Sequence, residues 1–279
     1  MQSAMNADAH SPKLRRKTRP AAAFATLAQA SLARIDACLD ALKRRDEPED
    51  LHQLRIALRQ ARAVVWAMGP ALPRQERDRW KRDLRTLARA TSAARDWDVF
   101  LAETIGPARE LEPDDTVLAT IADTARQRRD AAREAMLAAL ATYRDWPLPA
   151  LHRDLAHLAH LAHLAARARG DGARLAPFAR QRVRRGRKQL RALAKNAREG
   201  DPVAVHAQRI AGKRLRYVIE ALAPVLPARY TGRLYRKLVK RQARLGRQVD
   251  DIVARRLLAD CLAVQAMPDD AAPPLPGAS

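Results

Sequence analysis

The chain has 279 residues, with 53 Lys and Arg against 31 Asp and Glu and a formal net charge of +22. An excess of that size raises self-repulsion in a compact state and points to a polyanionic partner, whether a phosphate-rich polymer, nucleic acid or an anionic surface. Two cysteines exclude a disulfide framework, and no window reaches the roughly 18 apolar residues of a membrane span, so a soluble cytoplasmic protein is expected.

Residues 1–20 are basic (KLRRKTR, Lys13 to Arg19) with no apolar core of signal-peptide length behind them, and are expected to form a disordered tail. Apolar positions then recur at helical spacing. They predict helices at about 22–44, 49–69, 76–103, 115–142, 148–168, 177–198, 203–223 and 229–264. Punctuation falls at Pro48, Gly69-Pro70, Gly106-Pro107, Trp146-Pro147, Gly170 to Gly172, Gly200-Asp201-Pro202 and Pro224 to Pro227, and the proline-rich stretch 267–279 reads as a second tail. Pro48 and Pro202 suit a first helical turn, and Asp201 suits an N-cap. Strand-type alternation is absent, so the fold class is all-α. Apolar residues make up 47% but aromatics only 4%, so the core must be closely approaching Ala- and Leu-rich helices, with Cys38 a small buried hydrophobe.

A 26-residue stretch occurs twice, 154 residues apart: PEDLHQLRIALRQARAVVWAMGPALP from Pro48 and PVAVHAQRIAGKRLRYVIEALAPVLP from Pro202, identical at eleven positions without a gap. The same offset pairs Phe24 with Phe178, Leu84 with Leu238 and Asp96 with Asp250. The core, 20–264, therefore reads as tandem-duplicated antiparallel helical bundles, an N-terminal half of about 20–170 and a C-terminal half of about 174–264. Bundles of this kind associate through a pseudo-two-fold that brings equivalent helices together.

Each copy carries one histidine and a row of bases. At 100° per residue His52, Arg55, Arg59 and Arg62 fall within about 80° of arc over roughly 15 Å, and His206, Arg209, Lys213 and Arg216 repeat this, with Arg214 adding charge. Leu51, Leu54, Leu58, Ala61 and Val65 take the opposing face and should fill the core. Four like charges on one stripe repel, and a helix needing only solubility would intersperse acids. The stripe reads instead as a rail for phosphates, with guanidinium forks taking oxyanions in bidentate fashion and histidine adding donors as pH falls.

LHQLRIALRQAR (Leu51 to Arg62), ARDWDV (Ala94 to Val99), VHAQRIAGKRLRYVIEAL (Val205 to Leu222) and LGRQVDDIV (Leu245 to Val253) resemble the conserved histidine α-helical domain (CHAD) family over about residues 20–264. The resemblance implies two helical bundles related by a pseudo-two-fold and a basic central channel lined from both halves that binds inorganic polyphosphate. Some members are fused to a triphosphate-hydrolysing domain, and this chain looks like a stand-alone member. The implied ligands are His52, Arg55, Arg59, Arg62, His206, Arg209, Lys213 and Arg216. Gln60 stands where the second copy has a base, so the first half is expected to grip less tightly. Arg34/Lys188, Arg44/Arg198, Arg79/Arg233 and Arg82/Arg236 are further retained bases, and Arg184, Arg187, Arg191, Lys195 and Arg198 form another basic row.

Other constellations carry weaker signals. Asp96 and Asp98, with Asp250 and Asp251, could be metal-binding carboxylates for phosphoanhydride hydrolysis, but too few converge, and structural pairing with arginines is expected. His157, His160 and His163 cannot all reach one zinc, because the outer two lie 120° apart, and they are expected to edge a Leu-rich face. Phosphate-cradling Gly-rich loops are absent, so no cofactor is expected. The function expected is non-enzymatic binding of inorganic polyphosphate, with recruitment to polyphosphate granules. The alternative is nucleic-acid binding on the same basic surface. Against it stand four Trp, four Tyr and three Phe, too few for a single-strand stacking platform.

Overall fold

The computed structural model describes residues 14–45, 47–167, 173–196 and 202–265, with side chains described outside 164–167, 195–196, 202, 244–250 and 264–265. Ten α-helices follow in order: α1 (Pro20–Arg45), α2 (Pro48–Met68), α3 (Arg74–Ala90), α4 (Ser92–Phe100), α5 (Gly106–Leu111), α6 (Thr116–Asp145), α7 (Pro147–Arg167), α8 (Leu175–Asn196), α9 (Pro202–Leu222) and α10 (Tyr235–Gln265). No strand occurs among the described residues, and the all-α expectation holds. Pro48 and Pro202 each open a helix, where the missing N–H costs nothing. Asp201, Gly170 to Gly172 and the stretch 267–279 lie outside the described residues.

One expected helix, 76–103, is divided. α3 ends at Ala90, and Thr91 sits at φ −88° and ψ 0°, its Oγ1 donating back to Ala88 O at 2.9 Å. Arg55 Nη1 donates to both the carbonyl and the hydroxyl oxygen of Thr91, each at 3.1 Å, and holds the break. Beyond it α4 passes through a π-helical turn, Leu101–Ile105, into α5. The helix expected from 229 likewise opens on a π-helical turn at Tyr230–Leu234 before α10.

The chain forms two compact units that cut across the sequence halves. The first comprises residues to Thr91 and Ala138–Gly246, and the second Ser92–Leu137 and residues from Arg247. The second unit carries nine Lys and Arg against 15 Asp and Glu, a net −6, which leaves +28 on the first.

In the first unit α2 packs on α1, α3 and α9, while α8 packs on α9 and α7 on α1. The two helices that carry the repeated stripe therefore meet directly, which is why both copies share one unit. Leu51, Leu54, Leu58, Ala61 and Val65 are buried as expected, beside Phe24 and Trp80 in edge-to-face contact at 5.4 Å. Close approach of α8 to α9 depends on Gly186, because a Cβ there would stand 2.9 Å from Leu215 Cδ1. An ion pair of Arg79 with Asp154 at 2.7 and 2.5 Å, and a hydrogen bond between His152 Nε2 and Asp36 at 2.9 Å, seat α7. Cys38 is half-buried rather than buried, its thiol pushed up by burial against the pull of Arg34. Within the stretch read as a tail, the carbonyls of Arg16 and Thr18 accept the backbone N–H groups of Ala176 and Leu175 at 3.1 and 2.8 Å.

The second unit is built around Trp97, Phe100, Ile105, Ile121, Ala122, Ala125, Leu257 and Cys261. Asp98 is buried there, accepting from Arg129 Nε at 3.1 Å and lying 3.7 Å from Arg133, itself 3% exposed.

Candidate functional site

α2 and α9 bring their basic stripes together through two aromatic rings. Trp66, one turn beyond Arg62, stacks on Tyr217 of α9 with centroids 5.9 Å apart and planes 13° from parallel. The Arg62 guanidinium lies 5.2 Å from the Trp66 centroid, Arg214 lies 5.5 Å from it, and Arg216 lies 4.8 Å from that of Tyr217. Arg182 of α8 fixes the end of α2, donating Nη2 to Trp66 O at 2.7 Å and Nε to Ala67 O at 3.0 Å. Those carbonyls have no partner within their own helix.

The electrostatics match this geometry. Burial lowers the pKa of Arg62, and repulsion from Arg85, Arg214 and Arg89 lowers it further against the pull of Tyr217. Arg62, Trp66, Lys81, Leu84 and Arg85 line a shallow depression. Arg59 and Arg216 act together on Tyr235, whose hydroxyl donates to Glu220 at 2.8 Å, and Arg216 Nη1 lies 3.6 Å from the same carboxylate. Glu220 falls at the same angular position as the stripe of α9, one turn beyond Arg216, so that stripe ends on an acid.

Four of the expected ligands thus converge in pairs: Arg62 with Arg214, and Arg59 with Arg216. Arg55 is engaged at Thr91, and Arg34 donates to Gln60 Oε1 at 3.1 Å and Gln53 Oε1 at 3.3 Å. Gln60, read as a lost base, is an acceptor for Arg34. His52, Arg209 and Lys213 are half-buried, whereas His206, Lys188, Arg82 and Arg236 are exposed. Among the described residues no contact joins Lys188, Arg82 or Arg236 to the Trp66 cluster. Arg79 is committed to Asp154, and Arg198 and the side chain of Lys195 lie outside the described residues.

The weaker constellations separate as well. Asp98 is held by Arg129 and Arg133, and Asp96 lies 3.9 Å from Arg256. The side chain of Asp250 lies outside the described residues. His157, His160 and His163 are exposed beside buried Leu155, Leu158 and Ala162, and no group of three metal-ligating side chains is placed to share an ion among the described residues. No helix there is long and apolar enough to cross a membrane.

Sequence reasoning missed the row Lys81, Arg85 and Arg89 on α3, although its i, i+4, i+8 spacing was legible. It also missed Trp66 and Arg182.

These features define an all-α domain built on a packed pair of histidine-bearing helices whose bases converge. The chain belongs to the CHAD family, whose CHAD domain profile matches residues 26–259. Its fold is similar to the crystal structure of the CHAD domain from the plant Ricinus communis, at 29% identity and a TM-score of 0.73, covering 92% of this chain and 84% of that one. It is also similar in fold to PptA from Streptomyces chartreusis, at 17% identity and a TM-score of 0.59, covering 92% and 89%. No curated protein matches the chain.

Proposed function

We propose that the chain binds inorganic polyphosphate without transforming it, holding the polymer on bases that α2 and α9 present together. The observation that carries this reading is the convergence of Arg62 and Arg214 on Trp66, with Arg59 and Arg216 one step away at Tyr235. Like charges from two helices are gathered with one carboxylate, Glu220, among them, an arrangement that a bound polyanion neutralises. Guanidinium forks suit phosphate oxygens. The rings at the site are occupied by each other and by arginines, so they offer little to nucleobases, which supports a polymer without bases. Membership of the CHAD family supports the same ligand. Engagement of Asp96 and Asp98 by arginines supports binding rather than hydrolysis. Recruitment to polyphosphate granules would follow from binding alone.

The test is a calorimetric titration with long-chain polyphosphate at about 150 mM salt on wild type, His52→Ala/His206→Ala and Arg59→Ala/Arg216→Ala. Saturable binding by wild type, weakened about tenfold or more in the arginine pair, is the expected result. Tighter binding to duplex DNA than to polyphosphate at equal salt would overturn it, and release of orthophosphate with Mg²⁺ would overturn the non-enzymatic half.

A further inference from the structure

At the 154-residue offset the α2–α3 corner and the α9–α10 corner hold equivalent positions, yet their chemistry has diverged. The first has Arg62, Trp66, Lys81, Arg85 and Arg89, whereas the second has Arg216, Glu220, Tyr235, Val239 and Ala243. At these five matched positions the first corner has four cations and the second has one, Arg216, where Arg59 also acts on Tyr235 and Glu220 lies 3.6 Å from Arg216 and takes the Tyr235 hydroxyl.

The first corner also gathers its cations around a shallow depression. Lys81, Arg85 and Arg89 stand on one side of α3 at successive turns; Lys81 and Arg85 line the depression with Arg62, and Arg89 adds its repulsion on Arg62. Arg214 reaches the same place from α9 by way of Trp66. Asp78 lies 3.2 Å from Lys81 but also serves Arg74 and Arg77. Among the described residues no carboxylate lies at ion-pair distance from Arg62, Arg85, Arg89 or Arg214. Packing against Trp66 holds Arg62 and Arg214 in place before any ligand arrives.

We infer that the α2–α3 corner is a discrete anchoring subsite for a terminal phosphate, the end of a polyphosphate chain or of a short oligophosphate, and that the α9–α10 corner is not. The inference rests on the polyphosphate reading above. A terminal phosphate has two ionisable oxygens and carries roughly −1.5 to −2 near neutral pH, as phosphomonoesters do, whereas an internal phosphate carries a single charge. A group of cations with no carboxylate at ion-pair distance from its arginines therefore selects the end of the chain, and the polymer runs from there along the bases of α2 and α9. The first half grips more tightly, the reverse of what Gln60 alone suggested.

The full-length chain is titrated calorimetrically with tripolyphosphate, with long-chain polyphosphate, and with the same polymer whose ends are amidated. Wild type is compared with Arg85→Gln/Arg89→Gln, with a control losing equal charge on α6 (Arg126→Gln/Arg128→Gln), and with Glu220→Gln/Val239→Arg/Ala243→Arg. We expect one tripolyphosphate per chain, about tenfold weaker in Arg85→Gln/Arg89→Gln and unchanged in the control. Two per chain are expected when the second corner is given bases. A larger loss with free-ended than with amidated polymer identifies the chain end as the occupant, and equal losses confine the subsite to free short oligophosphates. Thermal melts by circular dichroism establish folding, and the gained site in the triple variant supports the inference even if the loss variant melts early. Equal weakening in the control, or wild-type binding of long polymer with no tripolyphosphate binding, overturns the subsite and leaves the polyphosphate reading standing. If wild type binds neither, that reading falls and the subsite with it.

Discussion

Arg214 of α9 lies 5.5 Å from the ring of Trp66 on α2, so one tryptophan holds a guanidinium from each of two helices. A cation over an indole face contributes about 0.5–1 kcal/mol at an exposed site. Trp66→Leu should therefore weaken polyphosphate binding about fivefold or more while removing no charge. The slope of log K against log salt counts neutralised phosphates and should stay at the wild-type value. Titrations at several salt concentrations check this. A flattened slope would mean that the ring does something other than position Arg62 and Arg214.

Arg55, one of the residues of the expected rail, donates through Nη1 to Thr91, which is fully buried, at the break between α3 and α4. Arg55→Ala removes two hydrogen bonds from a charged donor at this buried break, and stability should fall by about 1.5–3 kcal/mol. Arg59→Ala, on an exposed position, should change it by less than about 0.5 kcal/mol. Chemical denaturation of the two variants checks this difference.

The hydroxyl of Tyr235 is pushed up to about 12 by burial, by its hydrogen bond to Glu220 and by that carboxylate's charge, against the pull of Arg216 and Arg59. A phenol whose folded pKa exceeds its unfolded value of about 10 contributes its stability in full below that pH. The contribution is lost as pH rises towards about 12. Glu220→Gln should bring the phenol's titration down, visible by ultraviolet absorbance, and the stability lost between about pH 10 and 12 should shrink with it. The same change removes an anion beside Arg216 and should tighten polyphosphate binding roughly two- to fivefold, the scale of a partly exposed ion pair.

Asp98 is buried between Arg129 and Arg133. Asp98→Ala removes the buried carboxylate that Arg129 and Arg133 share, which costs about 3–5 kcal/mol. The loss should appear as early melting of the unit around Trp97 and Phe100, followed by hydrogen exchange in α4 and the first turns of α6. Protection unchanged in those helices would contradict a structural role for the carboxylate.

Most of the helices were legible because their apolar periodicity is strong and proline or glycine marks their ends. Pro48 and Pro202 open helices as they should, and Leu51, Leu54 and Leu58 face the core. The break at Thr91 was not legible, because it is held by an arginine 36 residues away. The same limit governs the site. The repeat singled out Arg34, Arg55, Arg59 and Arg62 together, but only packing decides that Gln53, Gln60 and Thr91 take the first two and leave the others at the α2–α9 contact. The α3 row Lys81, Arg85 and Arg89 was visible as spacing, yet it could not be told from other basic faces until α3 was placed against Arg62.

The charge division between the two units bears on how many copies one polymer accepts. If the chain binds polyphosphate as proposed, each bound molecule brings a −6 unit to the polymer together with its +28 unit. As copies crowd along a chain, these acidic modules add repulsion among neighbours that are otherwise drawn to the same strand, more so at low salt. Loading density would then be self-limiting.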